Sequence, residues 1–278
     1  MSQLITAQAL VSLMPASELM VFDTRASLAD AGHGRRLYEE LHIPGAFFLD
    51  LEEDLSGSVV PGETGRHPLP DPDLLEARLR ELGLRCQDRV VVYDEGPGFF
   101  AARLWWLLRW MGMERVQVLD GGFQAWQASE LPVSQHQQPR DWPGDFSATI
   151  AHERTIAADE VMQHLESGQL TLMDARSPER FRGEQEPIDP VAGHIPGAHC
   201  LPCAGNIDDR GFFRSRDQLR ERFHELPRDD GLVSYCGSGV TACHNILAAV
   251  EAGLPEPRLY PGSWSEWITH PDRPVSTS

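Results

Sequence analysis

An internal duplication constrains this 278-residue chain more than any other feature. Val21-Phe22-Asp23-Thr24-Arg25 recurs as Leu172-Met173-Asp174-Ala175-Arg176, and His42-Ile43-Pro44-Gly45-Ala46 recurs unchanged as His194-Ile195-Pro196-Gly197-Ala198. Val91-Val92-Tyr93 matches Val233-Ser234-Tyr235, and Gly121-Gly122-Phe123 with Trp126 matches Gly262-Ser263-Trp264 with Trp267. Equivalent motifs keep one order and an offset between 140 and 152 residues. Such a pattern implies a tandem of two related domains, each of ordinary size. The expected division is a first domain over 1–133, a linker over 134–151 and a second domain over 152–278.

Each copy alternates short apolar runs with helical patterns. Arg89 to Tyr93 and Leu232 to Tyr235 have the Val-rich character of buried parallel strands. Phe99 to Met111 is apolar almost all round, Arg103 and Arg109 excepted, and Val240 to Ala252 is its counterpart, so both are expected as largely buried helices. Asp71 to Leu82 and Thr155 to Ser167 are amphipathic, with Asp71 and Thr155 as expected N-caps. Strands alternating with helices predict an α/β fold: two domains, each a mostly parallel sheet flanked by helices. Ser134 to Gly144 lacks periodicity, as a linker should.

Charge and composition exclude several functions. The net charge is −18, and it divides evenly: residues 1–134 carry 11 Arg against 20 Asp and Glu, residues 135–278 carry 13 against 22. Neither half offers the basic face that a phosphate backbone requires, so no nucleic acid partner is expected. No run reaches the roughly 20 apolar residues needed to span a bilayer, and the first ten residues lack the pattern of a secretion signal. The expectation is a cytoplasmic protein without a membrane partner. All 24 basic residues are Arg. Without a lysine, Schiff-base, pyridoxal-phosphate and P-loop chemistry are ruled out. Five cysteines, an odd number, fit reduced thiols better than a disulfide framework. Cys200 and Cys203, behind His199, have half the spacing of a zinc site but no second pair, so no metal is expected.

The two copies diverge at one strand-to-helix junction. In the second, the strand ending at Tyr235 runs into Cys236-Gly237-Ser238-Gly239-Val240-Thr241-Ala242; in the first it runs into Asp94-Glu95-Gly96-Pro97-Gly98-Phe99. A cysteine between a strand's carboxyl end and a helix's amino end occupies the usual ligand position of an open α/β sheet. Gly237 and Gly239 let the loop curl so that its N–H groups form an anion cradle, and the helix dipole adds positive potential. Such surroundings stabilise a thiolate and make Cys236 the candidate nucleophile, with Ser238 and Thr241 as hydroxyl donors. Cysteine phosphatases place an arginine six residues after the nucleophile; here that residue is Ala242, which excludes them.

The paired Asp-x-Arg and His-Ile-Pro-Gly-Ala motifs, with one surviving loop cysteine, resemble the two-domain rhodanese (sulfurtransferase) superfamily over nearly the whole chain. Within it, Cys236-Gly237-Ser238-Gly239-Val240-Thr241 is similar to the loop of 3-mercaptopyruvate sulfurtransferases, whereas thiosulfate enzymes typically carry bulky basic residues where Gly237 and Ser238 stand. The resemblance implies transfer of sulfur from 3-mercaptopyruvate through a Cys236 persulfide to a thiol, thioredoxin-like or cyanide acceptor, with no cofactor. It implies catalytic roles for Cys236 and Ser238, and donor binding by Arg180, Gly237, Gly239, Val240 and Thr241, with the Arg180 guanidinium taking the donor carboxylate in a bidentate fork. The alternatives are a thiosulfate:cyanide sulfurtransferase and, in another class, a non-catalytic rhodanese-like binding module.

Two departures stand out. Mercaptopyruvate enzymes usually carry a second substrate arginine before the repeated His-Ile-Pro-Gly-Ala run, yet Gly183 to Gly193 contains no basic residue; the carboxylate is left one partner short, or Arg182 is recruited. Pro261 stands where the family often shows Asp. His67, in Arg66-His67-Pro68-Leu69-Pro70, is expected first as a turn histidine and second as an aid to proton transfer. His42 and His194 occur in both copies and are expected to be structural.

Overall fold

A computed structural model describes residues 2–137, 140, 142–165, 167–227 and 231–277. The chain forms two compact units, one made of residues 1–57, 70–151 and 209–213, the other of 58–69, 152–208 and 214–278.

The first unit contains β1 (Leu4–Ile5), α1 (Ala7–Leu13), β2 (Leu19–Asp23), α2 (His33–Glu40), β3 (Ala46–Phe48), α3 (Pro72–Glu81), β4 (Arg89–Tyr93), α4 (Ala101–Trp110), β5 (Val116–Leu119) and α5 (Gly122–Ala128). Its five strands are all parallel, in the order β1-β5-β4-β2-β3. Central β4 is apolar because both its faces are covered, and Val90, Val91 and Val92 are wholly buried. Asp71 caps α3 as expected, its carboxylate accepting from the N–H groups of Asp73 and Leu74, with Pro72 at the first helical position. Of the expected linker, residues 138, 139 and 141 lie outside the described residues. Its later part runs along this unit: Gly144 N–H donates to the Arg80 carbonyl, Phe146 N–H to that of Leu84, and Ala148 N–H to the Glu76 carboxylate.

The second unit contains α6 (Ala158–His164), β6 (Thr171–Asp174), α7 (Pro178–Phe181), β7 (His199–Cys200), α8 (Arg216–Arg222), β8 (Leu232–Tyr235), α9 (Thr241–Ala252), β9 (Arg258–Leu259) and α10 (Ser263–Trp267). Its parallel order β7-β6-β8-β9 repeats β3-β2-β4-β5 of the first unit. Thr155 does not cap α6. It forms a parallel bridge to Leu259, and Ile156 N–H donates to the Leu259 carbonyl, so the backbone there is still extended, in the sheet position that β1 fills in the first unit. α6 starts at Ala158 instead.

The repeated motifs are repeated structures. Arg25 forms a buried pair with Asp23 and donates to the Leu41 carbonyl; Arg176 pairs with Asp174 and donates to the Gly193 carbonyl. The hydroxyl of Tyr93 accepts from Ile43 N–H, as that of Tyr235 does from Ile195 N–H. Nδ1 of His42 lies 2.7 Å from the Tyr38 carbonyl, and Nδ1 of His194 lies 2.7 Å from that of Phe181, each ring stacked on the residue it bonds. These histidines fix a turn, and Trp126 and Trp267 fasten the chain after each final helix by donating to the carbonyls of Pro132 and Pro274.

Candidate active site

Both units end their β4-type strand in a loop whose N–H groups converge. In the first unit the convergence is filled from within. The Asp94 carboxylate accepts from the N–H groups of Gly96, Gly98, Phe100 and Ala101 at 2.9–3.3 Å. Burial pushes this carboxyl above its ordinary range, and the four N–H donors pull against that rise. Here the loop cradles an anion that the chain itself supplies.

In the second unit the sulfur of Cys236 takes the equivalent place. It receives the N–H of Gly239 at 3.1 Å and that of Ser238 at 3.5 Å, and the residue is 2% exposed. The two glycines serve different ends. Gly239 has φ of +80° and packs so closely on Pro261 that a Cβ would stand 2.3 Å from its carbonyl oxygen. Pro261 thus contributes a backbone wall. At Gly237 the three nearest atoms are all guanidinium nitrogens: a Cβ there would stand 2.9 Å from Nη2 of Arg66 and 3.4 Å from Nη1 and Nη2 of Arg180.

The loop is braced from the start of α10. Ser263 is fully buried with φ of +54°; its hydroxyl accepts from Cys236 N–H at 3.1 Å and donates to the Tyr260 carbonyl. Trp264 N–H and Ser265 N–H donate to the carbonyls of Cys236 and Gly237. The same turn holds the segment 58–69. Gly65 abuts it so tightly that a Cβ would meet the Gly262 carbonyl oxygen at 2.5 Å, and Arg66 N–H donates to the Ser265 hydroxyl. This anchoring brings Nδ1 of His67 to 2.7 Å from the Ser238 hydroxyl, with His67 buried. His67 is therefore coupled to the loop, and the simpler expectation of a turn histidine understates it.

Arg180, on α7, is also at the loop, but it is not free to take a carboxylate alone. Its Nε and Nη2 grip both oxygens of Glu186, and Nη2 also reaches Asp189. Asp189 uses its other carboxylate oxygen on Nη1 of Arg66, so one buried aspartate bridges the two guanidiniums. Burial pulls the Arg66 guanidinium below its ordinary value; the charge on Cys236 raises it, and the guanidinium of Arg180 pushes it down again. Arg182, the second candidate beside Arg180, pairs with Glu184 at the surface.

Of the remaining loop residues, Val240 is buried at the N-terminus of α9, and Thr241 opens that helix. The Thr241 hydroxyl bonds to the Cys203 thiol. Burial pushes the Cys203 thiol up to about 12, and the charge on Cys236 adds to the rise. Cys243 is buried in α9, with its sulfur on the Gly239 carbonyl. Arg66, Asp189, Glu186 and Ser263 carry site geometry that sequence reasoning did not assign.

The family model for the rhodanese-like domain matches residues 6–129 and 157–270. The chain belongs to the rhodanese-like family. It is 52% identical over 280 residues to a protein of Pseudomonas aeruginosa named probable 3-mercaptopyruvate sulfurtransferase, an alignment that spans 99% of this chain and 98% of that one. It is 39% identical to a Mycobacterium tuberculosis protein named putative thiosulfate sulfurtransferase SseB, over 98% of this chain and 96% of the other. The crystal structure of SseA from Escherichia coli, titled as a 3-mercaptopyruvate enzyme, superimposes with a TM-score of 0.84 at 32% identity, covering 96% of this chain and all of that one. The two rhodanese-like domains, each a parallel sheet flanked by helices, are thus the family's fold.

Proposed function

We propose that the protein is a sulfurtransferase that moves sulfane sulfur from 3-mercaptopyruvate onto Cys236 and then to a thiol or to cyanide, releasing pyruvate. The observation that carries this reading is the arrangement at Cys236: a buried sulfur held by two N–H groups, guanidinium above it, and the Ser238–His67 pair beside it. The names of full-length relatives support the same donor.

In the forward half-reaction the Cys236 thiolate attacks the donor's sulfur, and an S–S bond forms as the C–S bond breaks. The electron pair of the broken bond passes to C3 and gives the enolate of pyruvate. The proton originally on the donor's sulfur moves through the Ser238 hydroxyl and His67 to C3, leaving pyruvate and the anionic persulfide Cys–S–S⁻. Guanidinium at Gly237 pairs with the donor carboxylate, and the N–H cradle faces the persulfide charge. In the second half-reaction an acceptor thiolate or cyanide attacks the outer sulfur and regenerates the Cys236 thiolate. Two half-reactions through one covalent intermediate give ping-pong kinetics.

The acceptor is a small thiol, a thioredoxin-like protein or cyanide. We place the reaction in the cytoplasm, where five free cysteines stay reduced; among the described residues no helix is long and apolar enough to cross a membrane. A thiosulfate donor has the weaker support. It matches the name of the Mycobacterium tuberculosis relative, but the loop positions that would need bulky cations are Gly237 and Ser238.

Intact-mass spectrometry tests the reading. Mixing with 3-mercaptopyruvate should add one sulfur, about 32 Da, to the wild type and none to Cys236→Ser. Loading by thiosulfate alone would transfer the protein to the thiosulfate class. Loading by neither would leave a non-catalytic binding module as the better account.

A further inference from the structure

We propose that Ser263 is a positioning residue for Cys236: its hydroxyl is inserted into the last rung of the β8–β9 ladder, and there it tethers Cys236 and props the cradle open. The inference deepens the functional reading above and rests on it for the role of Cys236, but not for the geometry.

β8 ends at Tyr235 and β9 at Leu259. Just beyond β9, Tyr260 N–H still donates to the Ser234 carbonyl. A regular parallel ladder would carry the next bond from Cys236 N–H to the Tyr260 carbonyl. Here the Ser263 hydroxyl lies between them, accepting from Cys236 N–H at 3.1 Å and donating to the Tyr260 carbonyl at 3.0 Å. Both buried backbone groups are satisfied, and the strand end is spread by one hydroxyl.

The side chain sits where glycine would be unstrained. Ser263 has φ of +54° and is fully buried; Glu130 is the other non-glycine residue with positive φ among the described residues. The turn itself does not need serine. Its counterpart in the first unit is Gly122, with φ of +56°. There the N–H groups of Phe123 and Gln124 donate to the carbonyls of Asp94 and Glu95, as those of Trp264 and Ser265 do to Cys236 and Gly237. A Cβ on Gly122 would stand 2.6 Å from the Asp94 carbonyl oxygen and 2.8 Å from the Gly96 nitrogen, so the first loop closes down on its glycine. The closed loop turns four N–H groups onto its own carboxylate, and the loop propped by serine turns two onto a sulfur.

Two variants test this. Ser263→Gly gives the second loop the residue of the first and removes both tether and prop; glycine takes this φ without strain, so the variant should fold. Ser263→Ala keeps the prop and removes the tether. Amide hydrogen exchange, followed by NMR, reads the tether without any donor. The Cys236 N–H should exchange about 10-fold faster in both variants, while the Val233 N–H within β8 stays as protected as in the wild type. With 3-mercaptopyruvate, kcat should fall about 10- to 100-fold in Ser263→Gly and less in Ser263→Ala, with KM within about twofold of wild type in both. Urea unfolding establishes that each variant is folded; if Ser263→Gly is not, Ser263→Ala decides. Unchanged exchange at Cys236, exchange that quickens throughout β8 at wild-type kcat, or a rise in KM alone would overturn the proposal. If 3-mercaptopyruvate fails to load Cys236 in the wild type, the functional reading falls, and the exchange measurement still judges Ser263.

Discussion

Substituting alanine at Gly237 and at Gly239 should give opposite results, although the two glycines sit two residues apart in one loop. At Gly239 the backbone is left-handed, with φ of +80°, and the added methyl would stand 2.3 Å from the Pro261 carbonyl oxygen. A left-handed conformation costs a residue with a Cβ about 1–2 kcal/mol, and forcing a carbon into a packed backbone wall costs about 1–3 kcal/mol more. Gly239→Ala should therefore lose about 2–5 kcal/mol of stability, and the N–H nearest the Cys236 sulfur would turn away with it. At Gly237 φ is not positive, and the nearest atoms are the far ends of two flexible arginines. Stiffening the unfolded chain even favours the folded state slightly, so Gly237→Ala should change stability by less than about 1 kcal/mol. Under the proposed function, its methyl nonetheless stands where the donor carboxylate would bind. Urea unfolding, followed by tryptophan fluorescence, measures the first effect; kcat/KM with 3-mercaptopyruvate measures the second, expected to fall more than about 10-fold in Gly237→Ala as the guanidinium–carboxylate hydrogen bonds are displaced. If Gly237→Ala proves as unstable as Gly239→Ala, or stays stable and fully active, the reasoning about this face of the loop is wrong.

Asp94→Ala in the first unit strips four buried N–H groups of their acceptor, at about 1–3 kcal/mol for an unsatisfied group; with partial relaxation the loss should be about 2–4 kcal/mol in urea unfolding, and a loss below about 1 kcal/mol would show that the cradle does not need its anion. Ser238→Ala should lower kcat with 3-mercaptopyruvate about 100-fold, the lower range for a positioned proton-transfer group, in stopped-flow measurements of pyruvate release; an unchanged kcat would remove the Ser238–His67 pair from the proton path. The Cys203 thiol, pushed up to about 12, stays protonated at pH 8 and should alkylate with iodoacetamide far more slowly than exposed Cys86, becoming reactive only as pH climbs past 10. Peptide mapping in which Cys203 and Cys86 are labelled equally at pH 8 would refute that.

What could be read from the sequence followed what a duplication can teach. Two copies of one pattern expose the residues both must keep, and these proved to be the frame: the Asp23–Arg25 and Asp174–Arg176 pairs, the turn histidines, and the tryptophans that tie down each final helix. The one strand-to-helix junction where the copies differ in chemistry led to Cys236. Thr155 misled because a hydroxyl ahead of an amphipathic run looks like a cap, and only the register with Leu259 reveals an extra extended stretch at the edge of the sheet. Arg66 was invisible for a different reason. Its sequence neighbours belong to the first copy, while its backbone is bonded to Ser265 and its side chain to Asp189, 199 and 123 residues away.

The contrast between the two loops bears on how the first copy keeps its shape without a cysteine. An N–H cradle that closes on nothing leaves buried donors unsatisfied, and such a loop is unstable. Asp94 resolves this by placing a carboxylate where the other loop has sulfur, with four donors on it in place of two. The second loop has only the Cys236 sulfur, and the N–H groups that hold it are also those that would meet a persulfide. The same geometry that makes the first loop stable with its own anion leaves the second suited to an anion that arrives and departs. Under the function proposed for Cys236, the difference between the two loops lies in whether the cradle is filled by a short carboxylate or by a sulfur that can gain and give up another.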